Sequence, residues 1–234
     1  MKALLGCLVR LSVVLVLLGC AQSLYADDVV TGFSSTTNPN GVWTYEYDGT
    51  AFSSGQAVTN FVGSGLSGWY DGEAEPNAIY ILQNVTGSNA SAETIVDPTG
   101  TLWMDPEGGN VSVMFTAPAA GTYTITGDFL GIDTGENSHP VDILDNGTGV
   151  FSGTISSYGQ DDPFSFPETL SAGDTITFYV GTGSTGCAYC NLSTGLDGTI
   201  TESSVTPEPS SLTLFGSGLL ALAYLLRRKR RAQS

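Results

Sequence analysis

Between Asp27 and Leu226 the sequence contains no lysine and no arginine, although it contains all 23 acidic residues of the chain. The formal charge of this segment is therefore −23, and the seven basic residues lie outside it. Because lysine and arginine salt bridges are unavailable, its fold must depend on apolar burial and backbone hydrogen bonds. The segment also cannot replace the counterions of a phosphate backbone, which excludes nucleic acid as a partner.

Short segments of alternating apolar and polar residues characterise positions 27–204, and no sustained helical periodicity occurs there. Asn146-Gly147 lies between two such segments and predicts a tight hairpin, because both residues tolerate positive φ. We therefore predict an all-β fold, an antiparallel β-sandwich or jelly roll, in one domain over 27–204. The predicted strands are 42–47, 78–82, 111–115, 122–126, 141–144, 150–155 and 175–180.

The first 26 residues are typical of a secretory signal peptide. Their apolar run, Leu11 to Leu18, follows two basic residues and is too short to span a bilayer. Ala26 is the predicted last residue of the signal. The alternative is a bacterial lipobox at 17–20, which would leave a lipidated Cys20.

Three features follow one another in residues 205–234. Pro207, Glu208 and Pro209 come first, and an apolar stretch that predicts a transmembrane helix over 210–226 comes second. The part from Leu212 to Leu226 is apolar except for Thr213, Ser217 and Tyr224. As a helix it would span roughly 22 Å, less than the ~30 Å of a hydrocarbon core. Basic residues would stop transfer and stay cytoplasmic. The five that follow the helix are Arg227, Arg228, Lys229, Arg230 and Arg231.

This order of features resembles the PEP-CTERM sorting signal of exopolysaccharide-producing Gram-negative bacteria. The resemblance implies that an exosortase recognises the Pro-Glu-Pro segment, cuts near it, and releases or anchors the protein at the surface. It also implies transient anchoring in the inner membrane, followed by delivery to the cell surface or extracellular matrix. An ordinary tail anchor is the alternative.

The middle of the chain resembles the ectodomain common among PEP-CTERM proteins, and its pattern is similar to non-catalytic carbohydrate-binding sandwiches. The resemblance rests on segments such as NPNGVWTYEY at 38–47 and LSAGDTITFYVG at 170–181. It implies a β-sandwich, and no motif within it is diagnostic of an activity.

Aromatic side chains are the candidates for a sugar-binding surface, because sugar rings stack on them. Trp43, Trp69, Tyr70 and Trp103 are the residues considered. Large aromatics at strand positions more often belong to the core. Since the stretch 69–72 reads as a loop, Trp69 and Tyr70 are the favoured ligand-binding residues.

An acidic stretch of 18 residues is the candidate metal site. Ca²⁺ prefers several carboxylates and carbonyls presented on turns, and this stretch is rich in glycine and asparagine. It contains no EF-hand, so a solvated acidic loop edge is the alternative to a bound Ca²⁺. The acids are Asp128, Asp133, Glu136, Asp142 and Asp145.

Cysteine and histidine offer two further candidate sites. Cys187 and Cys190 remain after removal of the signal, and an exported environment predicts a disulfide between them. A redox or metal site and unpaired thiols are the alternatives. His139 precedes a proline, and a triad with Ser138 is conceivable, but without a nucleophile elbow an exposed loop histidine is expected.

Taken together, these patterns predict a non-enzymatic exported protein with a structural or adhesive role at the cell surface or in an exopolysaccharide matrix. A carbohydrate-binding module, with polysaccharide as partner, is the alternative. Ice binding requires a flat threonine array, of which the sequence indicates only Thr122, Thr124 and Thr126. A glycoside hydrolase requires two facing carboxylates, and the sequence selects no pair among its 23 acids. No cofactor is expected apart from the candidate Ca²⁺.

Overall fold

The computed structural model describes residues 26–61, 64–73, 78–182 and 191–203, together with positions 216, 218, 219 and 228. The chain divides into two compact units, Leu24–Ser203 and a unit made of Met1–Ser23 and Ser204–Ser234. In the second unit the four described positions are helical. Across the described residues, none of the helices has both the length and the apolar character needed to cross a bilayer.

The described part of the first unit is built from strands, with a 3₁₀ turn at Ser54–Gln56. The strands are β1 (Ala26–Asp28), β2 (Trp43–Tyr47), β3 (Thr50–Ala51), β4 (Ala57–Val58), β5 (Ser67–Tyr70), β6 (Tyr80–Gln83), β7 (Ala90–Ala92), β8 (Ile95–Asp97), β9 (Leu102–Asp105), β10 (Val111–Thr116), β11 (Gly121–Gly131), β12 (His139–Asp145), β13 (Thr148–Ile155), β14 (Asp161–Leu170), β15 (Thr175–Val180) and β16 (Thr194–Ser203).

These strands form two main antiparallel sheets and one small hairpin sheet. The large sheet has the order β14-β11-β16-β9-β6-β5-β4, with β1 also paired to β16. The small sheet has the order β13-β12-β15-β10-β2-β3, and β7 pairs with β8 alone. Every recorded pairing is antiparallel, from the long β11–β14 ladder to the short β2–β3 pair. The predicted all-β antiparallel sandwich is therefore confirmed.

The main core lies between the two sheets, where inward side chains of both meet. Tyr45 of the small sheet stacks on Trp69 of the large sheet, with ring centroids 6.3 Å apart. Phe164 and Phe178 make a second ring contact between the sheets, at 5.7 Å. Burying a large aromatic side chain contributes roughly 2 to 3 kcal/mol, so this core supplies the stability that lysine and arginine ion pairs cannot.

The predicted hairpin is confirmed between β12 and β13. Asp145 pairs with Thr148, which leaves Asn146 and Gly147 as a two-residue loop with φ values of 47° and 80°. Two positive φ values are the requirement of a type I′ turn, whose twist matches that of the flanking strands.

Strand β14 is not among the predicted strands, and it contains Pro163 and Pro167. A proline lacks the N–H that a central ladder needs, so the pattern argues against a strand. The structure places β14 at the edge of the large sheet, paired only with β11. An edge strand forms backbone hydrogen bonds with a neighbour on one side only, so prolines are tolerated in it.

Candidate functional site

A second apolar cluster covers part of the outer face of the large sheet. Along β6 and β9 the side chains alternate, so that Tyr80, Leu82 and Trp103 belong to this cluster while their neighbours belong to the main core. The β7–β8 hairpin and the residues around Phe61 pack over it. Both faces of β6 and β9 are therefore buried, which explains why these strands lack a polar side.

A cavity of about 290 Å³ opens at the edge of this cluster, near the end of β9 and beyond the end of β11. A volume near 300 Å³ lies at the lower limit of small-molecule sites and suits one or two sugar rings. Its lining consists of an aromatic wall, several acids and a few small side chains. The residues are Phe61, Tyr80, Ala92, Glu93, Thr94, Ile95, Trp103, Asp105, Glu107, Asp133 and Asn191.

The aromatic wall is a packed group of three rings. Phe61 lies edge-on to Tyr80 and to Trp103, with centroid separations of 4.7 and 5.5 Å. Trp103 is 2% exposed, and its indole Nε1 has no hydrogen-bond partner in the described structure. A buried N–H group without a hydrogen-bond partner lowers the stability of the folded protein by roughly 1 to 3 kcal/mol. A ligand oxygen that accepted a hydrogen bond from this N–H would recover that free energy on binding.

The acidic side of the cavity is held by hydrogen bonds from the backbone and from hydroxyl groups. Asp133 is 1% exposed; its Oδ2 accepts from the Thr94 hydroxyl at 3.0 Å and its Oδ1 from the Gly135 N–H at 2.7 Å. Asp105 is 5% exposed and accepts from the Ser193 hydroxyl at 3.1 Å. These bonds fix the carboxylates in place, since each oxygen is oriented before any ligand arrives.

Glu136 and His139 lie behind this acidic side as an uncharged pair. Burial raises the pKa of Glu136 to about 8, and the nearby charges of Asp133 and Asp105 add to that rise. Burial lowers the pKa of His139. Their 3.6 Å contact is therefore a contact between neutral groups at neutral pH and not a salt bridge.

His139 is buried at the first residue of β12, so the prediction of an exposed loop histidine is wrong. Its Nδ1 lies 2.9 Å from the Asn137 carbonyl oxygen, which requires a proton on that nitrogen. Its Nε2 then accepts from the Thr194 hydroxyl at 2.6 Å, and this bond joins the two sheets. Both ring nitrogens are hydrogen-bonded to groups other than a serine, so His139 does not form the conceivable triad with Ser138.

The predicted loop at 69–72 is wrong for its first two residues, because Ser67–Tyr70 is strand β5. Trp69 is 0% exposed, belongs to the main core and donates from Nε1 to the Ser34 carbonyl at 2.8 Å. Trp69 thus packs between the two sheets and is not among the residues that line the cavity beside Trp103, which removes it as a sugar-stacking platform. Tyr70 is half-buried, stacks on Tyr80 at 5.0 Å and donates its hydroxyl to the Glu73 carbonyl.

The five acids of the predicted calcium site are separated by the fold. Asp128 lies within β11 opposite Asp197 of β16, whereas Asp142 and Asp145 lie on β12 of the other sheet. Asp133 and Glu136 alone lie together, in the turn that follows β11. Among the described residues no group of three or more acid, histidine or cysteine side chains could hold a metal ion. The predicted five-residue set is therefore wrong, because closeness in sequence did not become closeness across two sheets.

Burial raises the pKa of Asp128, and the charges of Asp161 and Asp197 raise it further. No basic side chain is available in this part of the chain to relieve that repulsion.

A threonine-rich face lies on the outer side of the large sheet. Sequence reasoning found only the β11 residues of this face and expected no further ladder. The pairing register adds a second ladder on β16 and polar residues on β14, most of them half-buried or exposed. Across β14, β11 and β16 the rows are Thr169, Thr122 and Ser203; Pro167, Thr124 and Thr201; and Ser165, Thr126 and Thr199.

Several predicted features lie outside the described residues. They are the signal peptide up to residue 25 with Cys20, the disulfide pair Cys187 and Cys190, the sorting residues Pro207, Glu208 and Pro209, most of the helix 210–226, and the basic tail apart from Arg228. These remain sequence predictions as regards their structure.

Residues 205–231 match the PEP-CTERM protein-sorting motif. The match confirms the resemblance seen in the Pro-Glu-Pro segment, the apolar stretch and the basic cluster. It marks the chain as an exported protein targeted to an exosortase, with its C-terminal segment anchored in the membrane before processing.

A search of curated proteins found no match. Among solved structures, the CBM35 from Paenibacillus barcinonensis is similar over 77% of this chain and 99% of that chain, at 12% identity and a TM-score of 0.34. The K1 cleaved adhesin domain of Lys-gingipain from Porphyromonas gingivalis W83 is similar over 78% and 99%, at 10% identity and a TM-score of 0.44. The CBM36-1 domain of a multidomain xylanase from the hindgut metagenome of Trinervitermes trinervoides is similar over 54% and 98%, at 15% identity and a TM-score of 0.33.

Proposed function

We propose that the protein is an exported, non-enzymatic component of the cell surface or of an exopolysaccharide matrix. The observation that carries this proposal is the sorting motif at 205–231, joined to an acidic β-sandwich that has no lysine or arginine. The sandwich is the part that is delivered, and the motif is the part that directs delivery.

The distribution of charge supports this division of labour. The basic cluster after the apolar stretch favours the cytoplasmic side of the membrane under the positive-inside rule. The sandwich over 27–204 has 22 acidic residues and no lysine or arginine, so the positive-inside rule does not favour the cytoplasmic side for it. Processing near Pro207 would separate the two parts and leave the sandwich outside.

A second, finer proposal is that the sandwich binds saccharide through the cavity beside Trp103. The cavity combines an aromatic wall with fixed carboxylates and an indole N–H that has no partner. Sugars offer apolar C–H faces to aromatic rings and hydroxyl groups to carboxylates and N–H donors. This combination gives the structural or adhesive role a chemical basis.

Export is tested by fractionating the native host with antibody against the sandwich. The wild-type protein should be found at the surface or in the matrix. Replacing Pro207, Glu208 and Pro209 together by alanine should retain a longer, unprocessed form in the membrane fraction. Equal processing of both forms would contradict the proposed use of the motif.

Saccharide binding is tested on the purified segment 27–203 with an array of neutral, acidic and amino-sugar oligosaccharides. This segment lies within one compact unit. Binding that is lost on Trp103→Ala but retained on substitution of an exposed tyrosine that does not line the cavity, Tyr158→Ala, would support the cavity. Tyr158 is 51% exposed and does not line it. No binding to any saccharide would contradict the second proposal.

A further inference from the structure

We propose that the cavity beside Trp103 selects saccharides that carry a free ammonium group, that is, amino sugars without an N-acyl substituent. This inference rests on the proposed saccharide-binding function and names its ligand class. It depends on four observations, which are the charge of the lining, the unpaired indole N–H, the conformation of Glu93 and the absence of a metal-ligand group among the described residues.

The charge of the lining is entirely negative. Glu93, Asp105, Glu107 and Asp133 line the cavity, and the sequence offers no lysine or arginine between residues 27 and 226 to balance them. A carboxylate or sulfate on a ligand would meet like charges in a partly desolvated space, which disfavours uronic acids and sulfated sugars. An ammonium group would find an opposite charge in the same place, because it is attracted both to carboxylates and to the faces of aromatic rings.

A metal ion is a poorer fit for the same charge. Within the described parts of the chain no cluster of acid, histidine or cysteine side chains is close enough to coordinate a metal. The cavity volume of about 290 Å³ is also much larger than one ion requires. An organic molecule that carries an ammonium group therefore fits the cavity better than a metal ion.

The indole of Trp103 indicates hydroxyl groups in addition to the cation. Its Nε1 is buried without a partner, so it can donate only to an acceptor brought by water or a ligand. A simple amine or polyamine offers no oxygen acceptor for this N–H. An amino sugar offers hydroxyl oxygens and the ammonium group on the same ring.

Glu93 occupies a strained position at the rim. It lies in the two-residue turn between β7 and β8, where Ala92 pairs with Ile95, and its φ is 53°. A non-glycine residue in the left-handed region costs roughly 1 kcal/mol relative to glycine, so Glu93→Gly should not lower the stability of the protein. Its exposed carboxylate gains its use from the cavity it borders.

The turn that carries Glu93 is fixed to the loop beyond β11. The Thr134 N–H donates to the Thr94 carbonyl at 3.0 Å, and the Val96 N–H donates to the Ile132 carbonyl at 2.9 Å. With the Thr94–Asp133 bond, these contacts hold the acid-bearing segments against each other. Because these segments are already held in place, the protein loses less conformational entropy when a ligand binds.

The test measures binding of three trisaccharides to segment 27–203 by calorimetry and tryptophan fluorescence at about pH 6, where the glucosamine amine is protonated. The ligands are the β-1,4-linked trimers of glucosamine, N-acetylglucosamine and glucose. The glucosamine trimer is expected to bind with a stoichiometry near one, to lose affinity as salt is added, and to bind at least tenfold more tightly than the other two.

Three variants and one control separate a site from general attraction to an acidic surface. Glu93→Gln should weaken glucosamine-trimer binding by roughly three- to fivefold, the range of one exposed ion pair. Trp103→Phe should weaken binding of any saccharide by roughly fivefold, the loss of one hydrogen bond. Glu93→Gly should bind as weakly as Glu93→Gln while unfolding at an equal or higher denaturant concentration. Glu168→Gln carries the same charge change near the start of β11, away from the cavity, and should have no effect.

The possible results distinguish the inference from the function on which it rests. Equal binding of the neutral and amino trimers, still sensitive to Trp103→Phe, would overturn the charge selectivity and leave saccharide binding intact. An equal loss in Glu93→Gln and Glu168→Gln would overturn the site, because the acidic surface as a whole would then attract the ligand. Failure of all three trimers to bind would overturn the selectivity for amino sugars, and saccharide binding itself would be overturned only if the oligosaccharide array also showed no binding.

Discussion

Replacement of Glu136 by glutamine is expected to remove part of the pH dependence of folding stability. The Glu136 side chain is 0% exposed, and burial, assisted by the charges of Asp133 and Asp105, raises its pKa from 4.5 to about 8. Between these two pH values the folded protein keeps a proton that the unfolded chain releases. Stability therefore falls as pH rises through this window, and the wild-type protein is more stable at the acidic end.

The size of the effect follows from the size of the pKa change. A rise from 4.5 to about 8 corresponds to roughly 5 kcal/mol over the whole window, at up to ~1.4 kcal/mol per pH unit. Other buried groups contribute at lower pH, since burial raises the pKa of Asp97 to about 7 and lowers that of His139. From pH 7 to pH 8 Glu136 is the main contributor, because Asp97 is already about half deprotonated in the folded protein at pH 7, and Glu136 should cost the wild-type protein about 1 kcal/mol of stability there.

The assay is urea unfolding of segment 27–203, followed by tryptophan fluorescence at a series of pH values. Glu136→Gln keeps the shape of the side chain and its acceptor for the Asp133 N–H, but it cannot titrate. Its stability should be nearly constant from pH 7 to pH 8. Asp97→Asn, the matched control, should retain the wild-type decrease in that interval and lose its own contribution between pH 3.8 and about 7. Parallel curves for the wild-type protein and Glu136→Gln would mean that Glu136 does not take up a proton on folding in this interval.

Three further substitutions test the fold. Gly68→Ala should prevent stable folding, because its new Cβ would collide with the Ile81 carbonyl of the neighbouring strand; expression in inclusion bodies and loss of the thermal transition would show this, whereas a wild-type melting curve would contradict the β5–β6 packing. Gly147→Ala should cost only about 1 kcal/mol in urea unfolding, since its φ is 80° but no atom lies within 4 Å of the added methyl group; a much larger loss would mean that the turn is packed. Asp128→Asn should raise stability at neutral pH by a few tenths of a kcal/mol by relieving repulsion from Asp161 and Asp197, and the gain should shrink in high salt; a loss of stability would argue against that repulsion.

Local sequence patterns were sufficient for the fold class and for most long strands of the small sheet. Val111–Thr116 and Thr175–Val180 alternate clearly because each has one side in the core and one side facing outward. Asn146-Gly147 specified its hairpin because the requirement for positive φ is a property of two residues. Such features need no knowledge of distant parts of the chain.

The candidate site depended on contacts that the sequence does not display. Trp69 and Trp103 both lie in short strands of the large sheet, but one is in the main core and the other lines the cavity under the β7–β8 hairpin. The difference is set by which face of the strand each residue occupies and by what covers that face. The residues that follow Trp69 have the sequence pattern of a turn. The four residues of β9 are all buried, so this strand shows no apolar–polar alternation that would have indicated a site.

Strand register is the other source of information that the sequence lacks. The β11–β16 pairing brings Thr124 beside Thr201, which is distant along the chain, and so completes a threonine face that one strand alone did not predict. The same geometry disperses the acids of the expected calcium site, because β11 and β12 belong to different sheets.

The most direct test of the central claim is the intact mass of the protein recovered from the surface or matrix of its native host. We expect a species that has lost the signal peptide and has been cut near Pro207, so that the basic residues 227–231 are absent and the acidic sandwich is present. A protein found in the cytosol, or one whose mass still includes residues 227–234 after it reaches the surface, would contradict export through the sorting motif.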